Sequence, residues 1–245
     1  MAHGFDIKFL LRFATNLFGH AGKILVDFVY PPTCILCDMH LPNDVALVCD
    51  TCWRHLPKVD NSLTVMRAGI HCSRSLALWS FEGGVQDMIH EMKFRRKMVL
   101  ADRIGKDLAS LLNHLPEIGK IDLIVPIPLH PTRLRERGFN QSALMARSIS
   151  REAGLPMEPW ALKRTRYTRA QSKLDAEERK KNVRHAFSVS ENMNFSEKTI
   201  LLVDDVTTTG ATMEACAVML KRAGASQVIA LAGARTELSE PPNLK

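Results

Sequence analysis

An open α/β sheet with parallel strands is the fold class this sequence predicts. Two observations carry that expectation. Apolar, β-branched runs at 121–129, 199–203 and 226–234 read as buried strands. Between them lie stretches with helical spacing, and strands that alternate with helices pair in parallel. A third observation locates the interest of the fold. The run Thr199-Ile200-Leu201-Leu202-Val203 ends in Asp204-Asp205, followed by Thr207, Thr208, Thr209, Gly210, Ala211 and Thr212. Two adjacent carboxylates do not stay inside a sheet without partners, so a ligand site is expected at this strand's end.

Taken in order, residues 1–30 are apolar but broken by Asp6, Lys8, Arg12, Lys23 and Asp27. That pattern suits one or two amphipathic helices, which pack on a core or dock a membrane surface or partner. It lacks the unbroken apolar region of a signal peptide. No run approaches the ~18 apolar residues of a membrane span, so no transmembrane segment is expected and a cytoplasmic location is. Residues 31–72 comprise a cysteine-rich module, opened by Pro31-Pro32, and a weakly patterned linker. An α/β domain over 73–236 follows, beginning with the alternating strand 75–81. Ile89, Met92, Leu100, Ile104, Leu108 and Leu111-Leu112 give 84–115 helical spacing. Strand 121–129 is stopped by Pro126 and Pro128, and helix 140–154 by Gly154. Residues 163–184 are polar and basic, a mobile loop or partly helical flap. Strand 199–203, helix 211–223 and strand 226–234 complete the domain, and 237–245 reads as a disordered tail.

The module's chemistry lies in Cys34-x2-Cys37 and Cys49-x2-Cys52. Each pair turns two thiolates toward one centre, and two pairs complete the tetrahedron of a structural Zn²⁺ with no open position. Disulfides are the alternative, and a chain without a secretory signal disfavours them. Cys216 is expected to be a small core residue. Cys72, beside His71, has no companion pair, so one zinc is expected rather than two.

The net charge of +7 favours polyanionic ligands. A helix N-terminus after the strand suits a phosphate, Gly210 permits close backbone approach, and the carboxylates would accept from vicinal sugar hydroxyls. A phosphorylated ribose meets both demands. A Mg²⁺-holding strand of a nucleoside-triphosphate site would need a glycine-rich lysine loop, and "GHAGK" at 19–23 has the wrong spacing.

The stretch "ILLVDDVTTTGAT" resembles the phosphoribosyl pyrophosphate (PRPP) motif of type I phosphoribosyltransferases. With "VPIPLHPTRLRERGFNQSALMA", "KRTRYTRAQSKLDAEERKKNVRHAFSV" and the four cysteines, the chain resembles the ComF family of competence proteins from about residue 25 to 235. The resemblance implies a type I phosphoribosyltransferase-like parallel sheet with helices on both faces. It implies ribose hydroxyls on Asp204 and Asp205 and a 5′-phosphate cradled by Thr207, Thr208, Thr209, Gly210, Ala211 and Thr212. The turn at 126–131 would sit at the pyrophosphate loop, and 163–184 would be a hood. Lys93, Arg133, Arg137, Arg164, Arg166 and Arg169 are candidates for pyrophosphate and hood contacts, with Mg²⁺ accompanying PRPP. The same cations suit single-stranded DNA, and any one of them in 163–184 reads equally as a solvated charge. Two functions therefore stand. One is a factor of DNA uptake in natural competence, meeting the uptake machinery at the inner membrane. The other is an active phosphoribosyltransferase of nucleotide salvage or synthesis.

Overall fold

The computed structural model describes residues 32–41, 47–59, 71–115, 118–166, 186–191 and 193–236. The expected helices of 1–30, most of 60–72, the bulk of the hood and the tail lie outside these residues. The chain divides into two compact units, 1–55 and 56–245.

In the described part of the first unit, Cys34–Cys37 form a tight turn. The Asp38 N–H donates to the Cys34 carbonyl and the Cys34 N–H to Met39. Asp38 takes a left-handed φ of 56° to close this knuckle. A short helix α1 (Asp50–Arg54) starts on Cys49, whose Sγ accepts from the Cys52 N–H at 3.4 Å. Trp53 within it and Val48 just before it are buried.

The second unit is built on four strands, β1 (Arg74–Ser80), β2 (Leu123–Pro126), β5 (Thr199–Thr207) and β6 (Gln227–Arg235). They are all parallel and ordered β1-β6-β5-β2. Helices cover both faces, as the alternation of strand and helix predicts. Met213, Cys216, Ala217 and Leu220 of α6 (Ala211–Arg222) join Ile200, Leu202, Val228 and Ala230 in one core. On the other face lie α3 (Val99–Asn113) and α5 (Gln141–Ala153). Their Ile104 and Met145 come within 3.3 and 3.7 Å of the place a Cβ on Gly233 would occupy. Cys72 and Cys216 both belong to the first core, where burial pushes the Cys72 thiol up to about 12. Cys72 is thus a core residue.

Four features depart from the sequence expectation. The helical stretch 84–115 is two helices, α2 (Gly84–Phe94) and α3, broken where Arg96 adopts φ 56°. The turn after β2 runs into a helix, α4 (Pro131–Arg137), with His130 capping the Thr132 N–H and Gly138 ending it at φ 84°. The basic segment expected as a hood is flanked by an antiparallel pair, β3 (Leu162–Arg164) and β4 (Phe187–Val189). Strand β5 continues four residues past Val203, carrying both aspartates in the sheet. The small residues Ala230, Ala232, Gly233 and Ala234 of β6 lie alongside and leave room for them.

Candidate functional site

Strands β2 and β5 end on the same side of the sheet, and ligands of open α/β sheets bind outside such carboxyl ends. A cavity of about 830 Å³ opens there. Its lining brings together Asp204, Asp205, Thr207–Thr212, the 127–130 turn after β2, and the cations Lys93, Arg133, Arg137 and Arg164. Of the cationic candidates, exposed Arg166 is not in this lining, and Arg169 lies outside the described residues.

The two carboxylates are held differently. Asp204 Oδ1 accepts from the Ser142 hydroxyl at 2.8 Å and from the Asp205 N–H at 2.9 Å. Burial nevertheless pushes the Asp204 carboxyl up to about 7, and the adjacent Asp205 charge adds to the shift. Asp205 is only 4% exposed. Its Oδ1 accepts from the Val206 N–H at 2.7 Å. Lys93 Nζ stands 2.7 Å from Asp205 Oδ2. That approach is off the hydrogen-bonding direction, so Oδ2 has a counter-ion but no aligned donor among the described residues. A buried oxygen in this condition is suited to a hydroxyl from a ligand.

The turn from β5 into α6 also lines the cavity. Gly210, at φ 72°, is the N-cap of α6 and supplies no side-chain cap. The helix therefore presents N–H groups that no capping side chain takes. A Cβ on Gly210 would meet no protein atom within 4 Å. The left-handed backbone is what requires glycine here. Glu214 in the first turn of α6 is engaged from outside: His71 donates its backbone N–H at 3.1 Å, and its Nδ1 lies 2.6 Å from Oε1.

The stretch 137–141, Arg-Gly-Phe-Asn-Gln, has a mechanical reading. Arg137 Nη1 donates to Gln141 Oε1 at 2.6 Å across the turn that Gly138 makes. Asn140 caps α5 by accepting from the Ser142 N–H, while its Nδ2 donates to the Ile127 carbonyl at 3.0 Å. This clamp fixes the end of β2, the start of α5 and the cavity's arginine together. The sequence expectation assigns no role to Gln141 or Ser142. The available signal is three polar residues, 140–142, opening an amphipathic helix soon after the strand 121–129. Arg164 Cζ lies 5.3 Å over the Phe187 ring, holding β3 to β4 at the rim.

In the first unit, the Sγ atoms of Cys34, Cys37, Cys49 and Cys52 all lie within 4.8 Å of one another. Cys34 Sγ accepts from the Cys49 N–H at 3.4 Å. This is the donor set and spacing of a four-thiolate zinc site, and it is the one such cluster among the described residues.

Comparison with known proteins agrees with this geometry. Residues 25–63 match the double zinc ribbon domain family and 108–238 the phosphoribosyl transferase domain family. The DNA utilization protein YhgH of Escherichia coli K12 is 30% identical over 217 residues, covering 81% of this chain and 94% of the relative. Competence protein F of Haemophilus influenzae is 34% identical over 134 residues, 54% of this chain and 56% of its own length. Competence protein ComFC of Bacillus subtilis is 26% identical over 200 residues, 78% of this chain and 72% of its own. The chain belongs to the ComF family, joining a four-cysteine zinc ribbon to a phosphoribosyl transferase domain.

Proposed function

We propose that the cavity binds PRPP or a related ribose phosphate with Mg²⁺, and that the protein acts in the use of imported DNA during natural competence. The ribose hydroxyls donate to Asp204 and to the unaligned Oδ2 of Asp205. The 5′-phosphate lies against the N–H groups of Thr207–Thr212 and the start of α6. The pyrophosphate takes Lys93, Arg133, Arg137 and Arg164, with Arg166 and Arg169 closing from the hood. Mg²⁺ would accompany the ligand's phosphate groups, with Asp204 and Asp205 left to the ribose hydroxyls. When bound it would neutralise charge on the pyrophosphate. The carrying observation is that a carboxylate pair, an uncapped helix N-terminus and four cations line one cavity.

The DNA role rests on relatives named for competence and DNA utilization and on the basic surface, which suits a single strand. A cytoplasmic location, with contacts at the inner membrane, belongs to the same reading. No helix among the described residues is long and apolar enough to cross a membrane. The second reading, a phosphoribosyltransferase with turnover, is favoured by the intact carboxylate pair and phosphate turn.

A thermal melt with Mg²⁺ and PRPP tests the site, on wild type and on Asp204→Asn/Asp205→Asn. Ligand at 100 times its Kd adds ~2.7 kcal/mol, which raises Tm by roughly 5–10 °C at this size. Each shift is taken against the same protein without ligand. A wild-type shift absent from the variant supports the site. No shift in wild type, with the fold intact, removes it.

A further inference from the structure

Phe94, the last residue of α2, is 63% exposed at the rim of the cavity. The His90 ring lies 4.7 Å from it and the Arg137 guanidinium 5.7 Å over it. Beside it opens a second cavity of about 230 Å³, lined by Lys93, Phe94, Arg96, Arg133, Glu136 and Arg137. Four cations and one carboxylate thus line the cavity beside an exposed aromatic ring. Lys93, Phe94, Arg133 and Arg137 line both cavities, while Arg96 and Glu136 are particular to the smaller one.

Arg96 is the unexpected residue. It holds φ 56°, a conformation glycine or asparagine adopts more readily. Its guanidinium is drawn over the end of α4, 3.9 Å from where a Cβ on Gly138 would stand. A simple break between two helices does not require arginine. Strained residues held against a cavity are a reason to look for function there.

We propose that this rim is a second subsite that takes a nucleotide unit. The base stacks on Phe94 and the phosphate lies between Arg96 and Arg133. Cations alone would suit any anion, and a ring alone any apolar group. Their combination fits a planar base joined to a phosphate. Glu136, 3.3 Å from Arg133 Nη1, moderates the charge of the smaller cavity. The adjacency to a ribose phosphate rests on the function proposed for the larger cavity; the rim's own affinity does not. Because Lys93, Arg133 and Arg137 serve both cavities, occupancy of one alters affinity for the other reciprocally.

The full chain is titrated with a fluorescent single-stranded thymidylate pentanucleotide by anisotropy, and with dTMP and inorganic phosphate by calorimetry. Phe94→Ala should weaken the pentanucleotide about tenfold. Arg96→Gly should weaken it severalfold while its melting temperature stays equal or rises, because glycine accepts the left-handed backbone. Unfolding cannot produce that combination. Arg96→Gly should also keep the Mg²⁺–PRPP melting shift, so loss of the ribose-phosphate site and loss of the rim are told apart. Tighter binding of the pentanucleotide than of dTMP identifies a strand and equal binding a free nucleotide; either supports the subsite. Wild-type affinity in both variants overturns the proposal, as does inorganic phosphate binding as tightly as dTMP with no dependence on Phe94.

Discussion

Asp204 shows how a residue proposed for ligand binding is kept at a cost to the stability of the fold. Its carboxyl is raised to about 7 because burial, and then the neighbouring Asp205, penalise its charge more than Ser142 and the Asp205 N–H reward it. A folded state that holds this proton more tightly than the unfolded chain gains stability below the unfolded pKa, about 4. That gain is lost as pH rises through about 7. At pH 8 the site is therefore a source of strain. Asp204→Asn keeps an acceptor for Ser142 and carries no charge, so it should be more stable than wild type at pH 8. Solvent reaches part of this residue, so the gain is discounted to ~1–2 kcal/mol. Melting curves at pH 8 and pH 5 check this: the advantage should narrow at the lower pH. A difference of the same size at both would assign it to packing rather than to titration. A carboxylate retained at a cost in stability is what the trade between binding and stability leads one to expect of the proposed site.

At the scale of elements, the close approach of α3 and α5 is set by one residue. A Cβ on Gly105 would come 2.6 Å from Ser148 Cβ and 2.7 Å from the Met145 carbonyl. Backbone cannot move aside as a flexible side chain can, so Gly105→Ala must push the helices apart. Better helix propensity offsets ~1 kcal/mol, and overpacking typically costs ~1–3 kcal/mol. The net expectation is a lower Tm, by about 2–4 °C per kcal/mol lost; an unchanged or higher Tm would mean that α5 shifts freely. This packing carries function, because α5 brings Ser142 to Asp204. The elements that the sequence displays are those whose signal is contiguous: strands 121–129, 199–203 and 226–234, helix 140–154, and the carboxylate–threonine turn. What it hides depends on distant partners. The break at Arg96 has no glycine or proline to mark it. Helix α4 is short, with no buried residue to set a period. Strands β3 and β4 have three residues each and are defined only by pairing across the hood. Asp204 and Asp205 stay within β5 because Lys93 and Ser142, 112 and 62 positions away, supply the partners.

For the whole molecule, the net charge of +7 is an argument about partners rather than about fold. Four cations, Lys93, Arg96, Arg133 and Arg137, line the two adjoining cavities, and Arg166 and Arg169 follow in the basic segment of the sequence. A single strand laid there would release counter-ions in proportion to the phosphates contacted, with a logarithmic salt slope of about −0.7 per phosphate. Three contacts predict roughly a 20-fold loss of affinity between 50 and 200 mM salt. Lys93 and Arg133 already face carboxylates, which lowers the number of cations each contributes. In the proposed path, Arg166 and Arg169 are the cations that would extend it beyond the cavities. Reversing both charges should weaken strand binding and flatten the salt slope by about 1–2, measured by anisotropy across a salt series. Curves that superimpose on wild type would take the hood's edge out of the path and confine the strand to the Phe94 rim. A steeper wild-type slope than three contacts allow would extend the path beyond both cavities, onto basic surface that the cavity residues do not provide.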